Sequence, residues 1–233
     1  VRDSSLGSYS WDATGNNDQG FNDWTDADLM NELNGDYLDT TLTANKTNWY
    51  NSFWDSSTNK PVLRQTGIFD YKTVIKQKYQ AMISESIWNI GGNSYTGSAP
   101  YTLNLLTQYN RERDKITYQN SRPTTWTGKV GLIYVSDYGY ASTDTSCRSN
   151  MRSQTNSVYN CKNNNWLAEN SSYWTLSPCS DASASVFYVN VNGDTSRVTT
   201  FNSISIYPAV FLKSNIKITS GTGEKSNPYK LSL

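Results

Sequence analysis

The 233-residue chain contains no histidine, so the commonest general base is missing and with it the usual serine and cysteine triads. Charge is also scarce: Asp, Glu, Lys and Arg make up 17% of the residues, and 20 basic side chains balance 20 acidic ones. Phosphate binding needs a concentrated Lys/Arg surface, so a neutral chain argues against a nucleic-acid partner. No stretch approaches the roughly 18–20 apolar residues of a membrane span. No signal peptide is visible, and residue 1 is valine rather than methionine. The sequence therefore reads as a mature or trimmed fragment, with a membrane contact expected only through an N-terminal anchor outside it. Phosphate loops, dinucleotide fingerprints and metal motifs are absent, so no cofactor is expected.

Apolar residues are few as well, at 36%, against the ~45–50% usual for globular proteins. The deficit is filled by Asn, Ser and Thr rather than by charge. Disordered chains combine low hydrophobicity with net charge and few aromatics. Here the net charge is zero, and 8 Trp, 17 Tyr and 6 Phe can build a core from few residues. The composition points to a folded, loop-rich domain.

Three cysteines remain to be placed. Cys147 and Cys161 flank a polar segment without metal-type spacing, and no histidine completes a zinc site. A disulfide closing that loop is the preferred reading, and it implies an oxidising, extracellular compartment. Three reduced cytosolic thiols are the alternative. With the pair closed, Cys179 is left over.

Along the chain, Asp12, Asn16 and Asp18 offer oxygen atoms, but their spacing fits no defined calcium loop and plain turns are expected. A first helix is predicted after Trp24, with Thr25 or Asp23 as cap, Asp26 and Asp28 near its positive end, and Asn34-Gly35 ending it. Trp49, Tyr50, Phe53 and Trp54 in the following connection read as satellite core. Val74, Ile75, Tyr79, Met82, Ile83 and Ile87 recur at helical spacing and predict a second helix from Lys72 to about Trp88. The run from Arg111 to Lys115 compensates its own charge and reads as a solvated turn. Strands follow: a buried one from Lys129 to Val135, then a hairpin of Ser185 to Val191 and Arg197 to Phe201 around the turn Asn192-Gly193-Asp194. Ile206 to Leu212 contains Pro208, which places it at an edge or bulge. Ile216 to Ile218 and the turn Gly221-Thr222-Gly223 close the chain. Helices first and an antiparallel sheet second indicate an α+β fold, loop-rich and helical over 1–127 and strand-rich over 128–233.

Chemistry has little to stand on. Asp26 and Asp28 diverge on a helix, and Cys179 has no histidine to activate it, while Asp181 beside it tends to raise a thiol pKa. The chain is expected not to be an enzyme. The segment 179–201 stands out instead. Val186, Phe187, Val189, Val191 and Val198 alternate there with small polar residues such as Ser180, Ser183, Asn190 and Thr199. On the residues alone this is an ordinary half-exposed hairpin with its polar side in water.

A longer pattern shifts that weighing. The run Trp126-Thr127-Gly128-Lys129-Val130-Gly131-Leu132-Ile133-Tyr134, continued by Ser136-Asp137-Tyr138-Gly139-Tyr140, resembles a hallmark of large paralogous surface proteins of gut Firmicutes. Many of these carry a prepilin-type N-terminal helix. Gly7-Ser8-Tyr9-Ser10-Trp11, Asn22-Asp23-Trp24-Thr25, Cys161-Lys162-Asn163-Asn164-Asn165-Trp166-Leu167, Trp174-Thr175-Leu176-Ser177-Pro178, Val186-Phe187-Tyr188-Val189, Phe211-Leu212-Lys213-Ser214-Asn215, Lys217-Ile218-Thr219 and Ser226-Asn227-Pro228-Tyr229 extend the match over nearly the whole chain. The C-terminal part of that family looks like the C-type-lectin fold of formylglycine-generating enzymes and of the variable proteins of diversity-generating retroelements. In the latter, adenine-directed mutagenesis rewrites exposed residues on a fixed scaffold.

The resemblance implies one C-type-lectin-like domain over 1–233, displayed on a cell surface or a phage particle, with a hypervariable binding face within 179–206. Its contact residues are expected to be Cys179, Ser180, Asp181, Ser183, Ser185 and Asn190, then Asn192, Asp194, Ser196 and Arg197, with Trp174 and Phe201 as anchors. The partner is a protein or glycan ligand on a cell surface. The alternatives are the structural head of a type IV pilin-like filament, with self-assembly partners, or a phage receptor-binding protein. Two departures count. The family usually has an aromatic where Cys179 stands, which marks Cys179 as a variable position. It also usually has Arg before the proline of the Tyr207-Pro208 pair. The enzyme branch uses a cysteine pair in this region, which a single Cys179 does not supply.

Overall fold

The computed structural model describes residues 5–12, 21–35, 54–55, 60–61, 69–90, 105–113, 123–148, 161–179, 182–224 and 226–233. Within them the chain is mixed α+β, richer in strands than in helices. In chain order the elements are β1 (Ser8–Ser10), α1 (Asp28–Asn34), β2 (Trp54–Asp55), β3 (Lys60–Pro61), α2 (Tyr71–Val74), α3 (Gln77–Gln80), β4 (Ser86–Asn89) and α4 (Leu105–Arg113). There follow β5 (Thr125–Gly128), β6 (Val130–Leu132), α5 (Val135–Tyr140), β7 (Tyr173–Pro178), β8 (Ser185–Val189) and β9 (Thr195–Thr199). β10 (Ser203–Ser205), β11 (Pro208–Val210), β12 (Lys217–Ser220) and β13 (Lys230–Ser232) complete the order.

The central five-stranded sheet runs β1-β10-β7-β8-β9. The β7–β8 and β8–β9 pairs are antiparallel, β10 meets β7 in parallel, and β1 closes the far edge antiparallel to β10. Two-stranded pairs β4–β5 and β6–β11 flank it, and β12–β13 forms a terminal hairpin. The sheet separates two apolar clusters. The larger gathers Trp11, Trp24, Trp88, Trp174, Leu176 and Val186, so it draws on both ends of the chain. Three of its indoles find buried carbonyls: Trp11 Nε1 donates to Thr175 O, Trp88 Nε1 to Gly128 O and Trp174 Nε1 to Tyr9 O. An indole buried with its N–H satisfied contributes its whole apolar area to the core. The smaller cluster packs Val135 and Tyr138 of α5 against Tyr173, Val189 and the Cys147–Cys161 bridge.

The first helix stops at its signal but starts later than its predicted caps: α1 follows Ala27, which makes no side-chain capping bond. Asp23 accepts from the Thr25 amide and hydroxyl and opens a 3-10 turn over Trp24–Asp26, and Gly35 ends α1 at φ +76°. The predicted second helix is not there. Residues 71–80 make two short helices, α2 and α3, and the chain then extends into β4, paired with β5 from Ser86↔Gly128 to Asn89↔Thr125. Ile87 is 66% exposed while its neighbour Trp88 is 2% exposed, which is strand alternation rather than a helical stripe. The predicted strand 129–135 is shortened to β6, because the Tyr134 amide donates to Asp137 Oδ2 and Val135 opens α5. The charge run at 111–115 is no solvated turn over its described part: Arg111–Arg113 end α4 and Glu112 is buried. Both Glu112 carboxylate oxygens accept serine hydroxyls, from Ser136 and from Ser177, which ties α4 to α5 and β7.

The hairpin follows its turn chemistry. β8 pairs with β9 from Ser185↔Thr199 to Val189↔Thr195, and Gly193 takes φ +88° in the turn. Pro208 starts β11, whose strand partner is β6 in a two-stranded sheet, so its missing N–H interrupts no central ladder. Gly221 and Gly223 both have positive φ at the closing turn. The Cys147–Cys161 disulfide is present, with Cα atoms 5.6 Å apart, and Cys179 is buried outside any disulfide.

Candidate ligand-binding face

Many backbone atoms between Cys179 and Phe201 take hydrogen bonds from other parts of the chain. Asn22 is buried, and its Nδ2 donates to three carbonyls, Cys179 O at 2.8 Å, Ala182 O at 3.0 Å and Ser185 O at 2.8 Å. Its own amide donates to Ser183 O at 2.8 Å. Further along, the amides of Trp11 and Asp12 donate to Thr200 O, and Ser10 Oγ donates to Phe201 O. Thr175 Oγ1 donates to Phe187 O. The hairpin turn is fastened in the same manner: Tyr138 OH donates to Gly193 O, Lys162 Nζ to Val191 O, and the Val191 amide to Ser172 Oγ. A backbone atom is common to all residues, so these contacts persist when the side chain changes.

Along the strands the side chains divide between the two cores and the outside. Val186, Tyr188 and Val198 pack toward the larger cluster, while Phe187 and Val189 pack toward the smaller. Ser183 and Asn192 are exposed, and Asn190, Ser196, Arg197 and Phe201 are half-buried. These six are the expected contact residues that reach the surface. Four others lie inside. Trp174 is fully buried, with its N–H engaged by Tyr9 O, and serves the core rather than an exposed anchor point. Cys179, Ser185 and Asp194 are buried too. Burial pushes the Asp194 carboxyl above its usual range, and its Oδ1 has no hydrogen-bond partner, a condition shared by the neighbouring Thr195 hydroxyl. Ser180 and Asp181 lie outside the described residues, as do Asn16 and Asp18 of the Asn/Asp-rich loop. Asp12 is buried and accepts the Phe21 amide at 2.6 Å, the role of a turn residue.

Comparison with known protein families, curated proteins and solved structures finds no match. The chemistry therefore rests on the geometry. The surface side chains of the face offer hydroxyls, amides, one guanidinium and one phenyl ring, a set suited to adaptable hydrogen bonding around an aromatic contact. Among the described residues no group of three His, Cys, Asp or Glu side chains could hold a metal. No described helix is long and apolar enough to cross a membrane.

The sequence gives no sign of the role played by two residues, although Asn22 stands in one of the strings that carry the resemblance. Asn22 sits in an ordinary-looking Phe21-Asn22-Asp23 turn, and its acceptors lie 157 to 163 residues further on. Glu112 is one acid within a mixed run, and the serines that receive it are 24 and 65 residues away.

Proposed function

We propose that this chain is a surface-displayed ligand-binding domain of C-type-lectin type, which meets a protein or glycan on a cell surface through Ser183, Asn190, Asn192, Ser196, Arg197 and Phe201. The observation that carries the reading is the fastening of the Cys179, Ala182 and Ser185 carbonyls by the buried Asn22 amide, beside a surface where Ser183 and Asn192 are exposed and Asn190, Ser196, Arg197 and Phe201 half-buried. Contact residues on such a frame can be exchanged while the frame persists. The disulfide fits an oxidising extracellular setting.

The test applies the labelled domain, beside an Asn192→Lys/Arg197→Glu variant, to glycan arrays and to intact cells of bacteria and host. Capture by the parent, lost in the variant with an unchanged melting temperature, supports the reading. Capture that survives in the variant moves the binding face elsewhere, and absence of capture on all surfaces removes the binding function. A filament-head role is the second reading. It is favoured by the terminal β12–β13 hairpin, where Ile218 is 60% and Tyr229 52% exposed, apolar area of the kind that subunit contacts cover.

A further inference from the structure

Trp11, Trp24, Trp88 and Trp174 are buried, whereas Trp166 is 70% exposed, more than any other large apolar side chain among the described residues. An indole is among the largest apolar surfaces a chain can remove from water, so one held outside calls for a cause. The local backbone supplies it. Asn165 is buried, its Nδ2 donates to Tyr138 O at 2.7 Å, and its Oδ1 accepts the Leu167 amide at 2.9 Å. The Asn165 amide donates to Lys162 O, and the Ala168 amide to Asn165 O. On one flank the Thr143 amide donates to Asn164 O, and on the other Tyr173 OH donates to Leu167 O at 2.8 Å. The turn starts at Cys161, which is bridged to Cys147. A loose loop could fold its indole inward. This one is tied on both sides with the indole outside.

The same turn packs on the candidate ligand face. Lys162 Nζ donates to Val191 O at 2.6 Å, and Lys162 Cβ occupies the space that a side chain at Gly193 would need. Asn192, beside that glycine, is exposed, as is Asn163 in the Trp166 turn. An indole face and side-chain amides therefore share one end of the domain.

Their chemistry selects a ligand class. An indole face is electron-rich and attracts C–H groups. A side-chain amide offers both donors and an acceptor, which is what a pair of neighbouring hydroxyls requires. In a β-linked pyranose the substituents lie largely in the ring plane, so the faces present C–H and the edge presents hydroxyls. A protein contact centred on a Trp excludes water with a packed surround. Here the exposed residues flanking Trp166 in the chain are Asn163, Asn164 and Asn170.

We propose that Trp166 is a stacking platform for a β-linked pyranose of a cell-surface glycan, with the Asn163 and Asn192 amides at the edge of the sugar ring. The proposal rests on the ligand-binding reading and narrows its ligand to a saccharide.

The experiment titrates cellotetraose, chitotetraose, lactose and glycerol into ¹⁵N-labelled protein. The Trp166 indole N–H is the signal that disappears in Trp166→Ala. It is expected to shift with at least one of the three saccharides, saturating at millimolar concentration, and to stay in place with glycerol, which has hydroxyls but no ring face. Trp166→Ala is expected to bind about tenfold more weakly, read from the Asn192 side-chain amide, with an unchanged melting temperature, and Trp166→Tyr to recover part of the loss. On intact cells, periodate, which cleaves vicinal diols, is expected to remove capture, and protease to spare it. No saturable indole shift with any of the three saccharides, an equal response to glycerol, or undiminished binding by Trp166→Ala overturns the proposal. So does capture that survives periodate and is lost to protease, which leaves the ligand-binding reading standing with a protein as its ligand.

Discussion

Replacing Asn22 by alanine is the sharpest perturbation of the frame that carries the candidate face. The side-chain amide has two protons, shared among three carbonyls at 2.8, 3.0 and 2.8 Å. Ser185 O keeps the Cys179 amide and Ala182 O keeps the Ser185 amide, so truncation weakens the loop without stripping it bare. Two lost hydrogen bonds at about 1 kcal/mol each, with a further 1 kcal/mol or so for carbonyls left facing a void, give about 2–4 kcal/mol. For a chain of this length that lowers the melting temperature by on the order of 10 °C. Asn22→Asp keeps the shape but turns a donor into an acceptor among carbonyl oxygens. Its cost at neutral pH is larger, and it shrinks in acid, where the protonated carboxyl regains one donor. Urea unfolding gives the free energies, and hydrogen exchange of the amides from Ser183 to Val186 shows whether the loss is local. A cost below about 0.5 kcal/mol for Asn22→Ala, or unchanged exchange in that segment, refutes the reasoning.

Three more outcomes follow from other parts of the structure. Reducing the Cys147–Cys161 bridge, whose cysteines are 14 residues apart, is expected to cost about 3 kcal/mol; thermal scans with and without dithiothreitol measure it, and overlapping curves contradict it. Glu112→Gln removes a carboxylate that accepts two serine hydroxyls in the interior and is expected to lose about 1.5–3 kcal/mol by urea titration. Burial raises the folded-state pKa of Asp194 above the ordinary carboxylate value of 3.8. The folded state therefore binds its proton more tightly, and the contribution is fully present below the unfolded pKa and lost as pH rises through the folded one. Stability of the parent relative to Asp194→Asn should therefore improve as pH is lowered toward 3.8; a pH-independent difference excludes the effect.

What could be read in the sequence was local. Asn192-Gly193-Asp194 specifies its own turn, so the β8–β9 hairpin was legible from the residues between two alternating runs. Gly35 marks the end of the first helix and Asp23 caps the 3-10 turn before it, by chemistry that also acts over a few residues, whereas α1 itself starts after Ala27 with no side-chain cap. The pairing of Cys147 with Cys161 followed from which cysteines flank a polar loop. Residues 72–88 misled because Val74, Ile75, Tyr79, Met82 and Ile83 match a helical period, while the decisive partner of Ser86–Asn89 is β5, some forty residues later. The candidate site was legible as a segment but not residue by residue. Asn192 and Asp194 look alike as polar turn residues, yet one is exposed and the other buried beside Tyr138. That difference arises from how α5 packs on the hairpin, which no property of the two residues encodes.

The placement of Asn22 bears on how this domain can exchange parts. Part of what shapes the stretch from Cys179 to Phe201 comes from near the other end of the chain: Asn22, Ser10 and the Trp11 and Asp12 amides. A cassette spanning that segment, moved between two such scaffolds by recombination, would carry its outward side chains with it and take its conformation from the recipient. The excised segment as a free peptide would keep its chemistry and lose its shape, so antibodies raised against it would recognise the intact domain poorly.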